Sequence, residues 1–140
     1  MRKTLLVLAF SALSLRPQSG SSGAVRKAPA PPTSAASGQE MYRAYCASCH
    51  GLDAQGGGPA SSALKVPPPD LTRLAKRNSG RFPELRVFNS IAGDARVPAH
   101  GSKDMPVWGS LFLQSGAGDA SAAKLRIRNL TRYIASIQAH

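Results

Sequence analysis

The only two cysteines of the chain stand three positions apart, and a histidine follows the second one directly. They are Cys46 and Cys49 in the segment "YCASCHG", and the histidine is His50. Thiols can form disulfides, exchange electrons, bind metals or form thioethers, and an imidazole can bind a metal. Four interpretations therefore compete: a disulfide, a thioredoxin-like redox motif, a structural zinc site and covalent attachment of haem.

Three of these interpretations lack support elsewhere in the sequence. A disulfide between cysteines this close would close only a short loop, so its entropic gain would be small. A thioredoxin-like motif needs a βαβ context, and no strand pattern surrounds the cysteines. A structural zinc site needs four ligands, usually from two separated pairs, and only His100 and His140 remain, 40 residues apart.

Covalent haem attachment is the chemistry that a C-x-x-C-H segment specifies. On one helical turn, Cys46 and Cys49 lie on the same face, so two thioether bonds can reach the two vinyl groups of one porphyrin. His50 follows at once and can place its imidazole under the iron. The sequence therefore predicts one haem c per chain, with iron bound by His50.

The N-terminal 16 residues differ from the rest of the chain. A basic head, Arg2 and Lys3, precedes a mostly apolar run from Leu5 to Leu15. That run is too short for an ordinary transmembrane helix and has the pattern of a secretory signal. No clean cleavage site follows it, so a signal peptide and an uncut N-terminal membrane anchor both remain open.

Composition divides the remainder into a linker at 17–37 and a domain at 38–140. The linker is rich in Pro, Ser and Ala and has one large apolar residue, Val25, so it is expected to be a flexible tether. The whole chain has a formal charge of +11, and residues 38–140 keep +6 of it. A positive domain favours partners with acidic docking surfaces, and scattered basic residues argue against nucleic-acid binding.

Helix signals dominate residues 38–140, and no region alternates like a strand. A first helix is expected to run from Gln39 into the cysteine motif, and long Gly/Pro-rich loops follow it. Asp70 should cap a short helix at 71–77, and Pro83 and Gly93 should bound another. The last helix is predicted from one apolar face, formed by Ile127, Leu130, Ile134 and Ile137. The prediction is an all-α domain wrapped round a central group.

These residues resemble the small class I cytochromes c of exported bacterial proteins, whose iron has His and Met ligands. In that family a Gly and an aromatic precede the first haem cysteine by eight and four positions, as Gly38 and Tyr42 do. The last helix of the family carries a Leu and an aromatic that pack across the first helix, and Leu130 and Tyr133 match them. The resemblance covers most of 38–140 and implies the cytochrome c fold.

The resemblance also implies further site residues. The distal iron ligand of the family is a Met in a loop before the last helix, and Met105 in "KDMPVWG" fits, with His100 as its rival. A proline carbonyl after the haem motif accepts the ring N–H of the proximal histidine. Here "VPPPDL" offers Pro67, Pro68 and Pro69, with Pro68 and Pro69 assigned to the haem pocket alongside Tyr42 and Trp108.

The implied function is one-electron transfer between respiratory or dehydrogenase partners, without an enzymatic reaction. The implied location is the periplasm or the outer face of a membrane, and the chain is expected to be a monomer unless it belongs to a complex. Two alternatives remain open from the sequence. The chain could be a subunit of a larger dehydrogenase or oxidase, or a protein whose labile sixth ligand lets the iron bind a gas or peroxide.

Overall fold

The computed structural model describes residues 31–93 and 108–139. Five α-helices lie in these ranges: α1 Gly38–Tyr45, α2 Ala47–His50, α3 Glu84–Ala92, α4 Trp108–Ser115 and α5 Ala120–Ser136. Three single-turn 3-10 helices lie between α2 and α3, at Ser61–Ala63, Leu71–Arg73 and Lys76–Asn78. The described ranges contain no strand, which confirms the all-α prediction. None of these helices is long and apolar enough to cross a membrane.

Helix α5 is the element on which the others pack. Asp119 caps it, because its carboxylate accepts hydrogen bonds from the backbone N–H groups of Ser121 and Ala122. The predicted apolar face is buried at Ile127, Leu130 and Ile134. This face supports α1, α3 and α4, so α5 forms one wall of a shared core.

Helix α1 crosses α5 at very short range. The Ser37 side chain caps α1, and Gly38 lies so close to α5 that a Cβ on it would overlap the carbonyl oxygen of Asn129. One turn later the fully buried Tyr42 ring lies 5.3 Å from the Tyr133 ring, centroid to centroid. This is the crossing of the first and last helices that the resemblance implies.

Three local predictions need correction. The first helix is broken at Cys46, which separates α1 from α2. The segment 71–77 forms two 3-10 turns instead of one α-helix, because the Asp70 carboxylate accepts both the backbone N–H and the hydroxyl of Thr72 and so favours a tight turn. Helix α4 was not predicted at all. Its apolar residues at helical spacing, Trp108, Leu111 and Phe112, span little more than one turn, which is too short to indicate a helix.

The last seven residues of the predicted linker contact the folded part of the chain. The Tyr45 hydroxyl lies 2.7 Å from the carbonyl oxygen of Pro31 and 2.8 Å from the hydroxyl of Thr33. Arg126 and Asn129 on α5 donate hydrogen bonds to the carbonyl oxygens of Thr33 and Ala35. Residues 31–37 are therefore packed on α1 and α5, although the linker prediction extended to 37. The boundary at 16 lies outside the described residues.

The close crossing predicts that Gly38→Ala destabilises the protein, because the added methyl would force α1 away from the Asn129 carbonyl. Overpacking of this kind costs about 2 kcal/mol of unfolding free energy. Gly57→Ala is the matched control, since a Cβ there would meet nothing within 4 Å. Guanidinium-induced unfolding of the holo-protein measures both variants. Equal stability of the two would show that the helices can separate without cost.

Candidate functional site

The cysteine motif forms a single helical turn at the end of α1. The backbone N–H groups of Cys49 and His50 donate hydrogen bonds to the carbonyl oxygen of Cys46, over 3.1 and 2.9 Å. Cys46 is the residue between α1 and α2, and Cys49 and His50 end α2. The structure therefore brings the two thiols and the imidazole together on one rigid turn, as the spacing predicts.

Both thiols are free and half-buried. Burial, and then the neighbouring Cys49, raises the pKa of the Cys46 thiol to about 12. Thiols that act as nucleophiles in redox exchange have the opposite property, a lowered pKa that favours the thiolate. The environment of Cys46 therefore argues against a thioredoxin-like role and is compatible with a thiol that is consumed in a stable thioether.

His50 is buried, and a backbone carbonyl defines the orientation of its ring. The Nδ1 atom lies 3.3 Å from the carbonyl oxygen of Pro69. With its proton on Nδ1, the ring donates to Pro69 and carries its lone pair on Nε2, the nitrogen suited to a metal. The contact selects Pro69 from the three candidate prolines. Pro68 instead places its carbonyl oxygen against Gly56, in the loop that follows the motif.

The loop after His50 caps the motif turn in a way that the sequence analysis missed. The N–H groups of Gly56, Gly58 and Ala60 donate to the carbonyl oxygens of His50, Cys49 and Ser48, over 2.8, 3.0 and 2.8 Å. These carbonyls end a helix and would otherwise lack partners. Gly58 passes so close to α2 that a Cβ would lie 2.5 Å from the Ser48 oxygen. The run "GGGP" was the sequence feature that could have indicated this contact, because glycine allows the loop backbone to approach α2 closely.

Tyr42 joins the motif turn to α1. Its hydroxyl donates a hydrogen bond of 2.7 Å to the carbonyl oxygen of Gly51, the residue directly after His50. The side chain is completely buried, and its ring packs on α5 through Tyr133. The predicted pocket residue Tyr42 therefore holds the backbone beside His50 while it also forms part of the helix crossing.

An aromatic cluster borders the same turn on another side. The Trp108 ring lies 5.1 Å from Tyr45 and 5.8 Å from Phe112, centroid to centroid. Tyr45 directly precedes Cys46, so the predicted pocket residue Trp108 lies near the motif. Trp108 is partly buried and Phe112 is 3% exposed.

The two candidates for the sixth iron ligand, Met105 and His100, lie outside the described residues. They belong to the segment that joins Gly93, which ends α3, to Trp108, which begins α4. Met41, the one methionine in the described ranges, is fully buried in the core and shares α1 with Tyr42.

The donor set of the turn fits haem c better than it fits zinc. Two unpaired thiols on one turn and a histidine held by a carbonyl are the groups that covalent haem attachment requires. Among the described residues, no group of three or more His, Cys, Asp or Glu side chains could hold a metal ion by itself. The residues present would thus hold iron within a porphyrin, whose four nitrogens would add to the His50 ligand.

The helical fold and this motif together define a c-type cytochrome. The family model for cytochrome c oxidase, cbb3-type, subunit III matches residues 33–134, and the chain belongs to this family of cytochrome c domains. Its fold is accordingly the cytochrome c fold, and its cofactor is covalently bound haem c with iron. No curated protein and no solved structure matches the chain significantly. Cytochrome c domains of this type are typically exported to the periplasm and transfer electrons.

The hydrogen bond of Tyr42 predicts a measurable loss of stability in Tyr42→Phe. The variant keeps the ring between α1 and α5 but removes the donor to the Gly51 carbonyl, which should lower the unfolding free energy by about 1 kcal/mol. Tyr133→Phe is the matched control, because its hydroxyl makes no hydrogen bond to the described residues. A smaller loss in Tyr42→Phe than in Tyr133→Phe would contradict this role.

The Tyr42→Phe variant should also differ from the wild type in how its stability depends on pH. Burial above all raises the pKa of Tyr42 in the folded state, while a tyrosine in the unfolded chain titrates near a pH of about 10. The unfolded state therefore releases this proton first, and the stability that the buried neutral phenol supplies is lost as pH rises above about 10. Denaturant unfolding at rising pH should show a steeper fall for the wild type than for Tyr42→Phe.

Proposed function

We propose that this chain is a one-electron carrier that holds a single haem c through Cys46 and Cys49, with His50 as the proximal iron ligand. The observation that carries the proposal is the motif turn itself. It holds two unpaired thiols and places His50 with Nδ1 on the Pro69 carbonyl. When bound, the haem iron supplies a reversible couple between Fe(III) and Fe(II).

The residues of the chain would perform three tasks in this function. The thioethers of Cys46 and Cys49 keep the cofactor from dissociating. The Pro69 carbonyl orients the His50 ring and increases its basicity as a ligand. The capping loop and the Tyr42 hydroxyl hold the backbone on both sides of His50. A rigid ligand environment suits electron transfer, because little reorganisation then accompanies the change of charge.

Met105 is the proposed distal ligand. A proline disfavours helical backbone in the residue before it, so the sequence favours an extended Met105 before Pro106, whereas Gly101 after His100 imposes no such restriction. The loop re-enters the described part of the chain at Trp108, whose ring packs on Tyr45 beside the motif. This anchor supports a path that brings Met105, three residues earlier, towards the iron. With both axial positions filled, substrate would have no access to the metal.

The proposed partners are redox proteins with acidic docking surfaces, because the positive domain would steer towards them. The proposed location is the periplasm, reached through an N-terminal signal peptide that could also remain as an anchor. The chain is proposed to diffuse freely as a monomer, as small electron carriers do. A subunit role in a larger oxidase or dehydrogenase is the second candidate, and the description of the matching family favours it.

A redox titration tests electron transfer directly. The holo-protein should titrate reversibly as a single one-electron couple, and carbon monoxide should leave the spectrum of the reduced protein unchanged because both axial sites are filled. Rapid carbon monoxide binding by the reduced wild type would instead favour a gas- or peroxide-binding protein with a labile sixth ligand.

Variants of the two loop candidates test the sixth ligand. Met105→Ala should abolish the weak far-red band of methionine-ligated ferric haem, lower the reduction potential and open the iron to carbon monoxide. His100→Ala, the matched control from the same loop, should change none of these properties. Absorption spectra of both ferric variants decide the matter. Loss of low-spin character in His100→Ala alone would assign the ligand to His100.

A further inference from the structure

The outer face of α5 carries a row of basic side chains. Lys124, Arg128 and Arg132 are spaced four residues apart, and all three are exposed. This spacing places them on one face of the helix, spread over about 12 Å along its axis. These three residues are called the α5 stripe.

No acidic side chain balances the α5 stripe. Helix α5 contains no Asp or Glu in its 17 residues. The carboxylate just before it, on Asp119, is occupied by the N–H groups of Ser121 and Ala122. None of the three stripe residues forms an ion pair with another described residue. Like charges four residues apart on a helix repel, so the stripe lowers the stability of α5. Helix stability therefore does not explain why these three basic residues are present.

An apolar side chain adjoins the stripe. Leu125 follows Lys124 on the same outer surface and is 45% exposed. On an anionic bilayer, an exposed apolar side chain can enter the interface while neighbouring cations meet the headgroups.

The N-terminal part of the chain enters the described structure beside α5. Arg126 donates a hydrogen bond of 3.1 Å to the Thr33 carbonyl, and Asn129 donates one of 2.8 Å to the Ala35 carbonyl. The thirty residues before Pro31 include the basic head and the apolar run at 5–15. Thirty residues can span up to about 100 Å when extended, so an N-terminus that remains in a membrane would allow the α5 stripe to reach the same bilayer.

We propose that the α5 stripe binds the anionic headgroups of a phospholipid bilayer and orients the domain on the membrane surface. This goes beyond the proposed electron transfer and does not depend on the iron ligands. The core side of α5 faces the cluster that includes Tyr42 and Cys46. A bilayer against the stripe would leave the motif turn accessible to a redox partner.

Vesicle binding by the full-length holo-protein tests the proposal. The vesicles contain phosphatidylglycerol and phosphatidylethanolamine, with phosphatidylcholine vesicles as the neutral comparison. Each cation near an anionic surface contributes about a fivefold factor in affinity, so replacing all three stripe residues by Gln should weaken binding on the order of 100-fold. Raising salt from about 0.1 M to about 1 M should abolish the difference, because the Debye length falls to about 3 Å.

The matched control replaces Lys65, Lys76 and Arg86 by Gln, which removes the same net charge from other surfaces where these three side chains are exposed. Its affinity should fall far less than that of the stripe variant, and the N-terminal residues contribute equally to both. Equal loss of vesicle affinity in the two variants would show that only the net charge matters, and would overturn the proposal. Where high salt releases the wild type from the vesicles, an undiminished affinity of the stripe variant would also overturn it, and so would wild-type binding no tighter than to phosphatidylcholine. A stripe variant that binds vesicles normally but loses a protein partner would assign the stripe to that partner.

A second measurement covers the case in which an inserted leader keeps every variant on the vesicles. Nitroxide labels are placed at Ser121→Cys beside the stripe and at Ser62→Cys on a 3-10 helix, both at exposed positions. The label at 121 should lie at headgroup depth and the label at 62 in water, as read by electron paramagnetic resonance. Equal aqueous exposure of both labels would overturn the proposal.

Discussion

The rest of the structure depends on how closely α1 can approach α5. Gly38 lies against the Asn129 carbonyl, where no side chain would fit, and this contact brings Tyr42 onto Tyr133. The position of α1 in turn determines where Cys46 begins the motif turn. A change of one methyl group at Gly38 would therefore be transmitted directly to the motif turn.

Hydrogen bonds from other parts of the chain stabilise the motif turn more than its own short helix does. Helix α2 has only four residues, too few to be stable alone. The N–H groups of the glycine-rich loop satisfy its terminal carbonyls, and the Tyr42 hydroxyl bonds the next carbonyl along. These partners explain why long loops are needed in a small domain. They supply hydrogen bonds to the backbone of the turn, and the Pro69 carbonyl orients the His50 ring.

The sequence predicted the parts of this design that rest on local patterns. The C-x-x-C-H spacing predicted the clustering of Cys46, Cys49 and His50, and the apolar periodicity predicted α5. The choice of Pro69 over its neighbours needed the three-dimensional path of the loop. Helix α4 was missed because the helical spacing of Trp108, Leu111 and Phe112 covers little more than one turn, and its packing on α3 and α5 stabilises it. The contacts of residues 31–37 were missed because they join short polar groups to side chains far along the chain.

The central claim is that one haem is bound covalently by both Cys46 and Cys49. Tandem mass spectrometry of the haem-bearing peptide from proteolysed native protein tests it most directly. If both thioethers form, one peptide containing residues 46–50 carries the added mass of one haem, with both cysteines modified. A haem-free peptide with a Cys46–Cys49 disulfide, or with two unmodified thiols, would show that the haem is not attached to these cysteines.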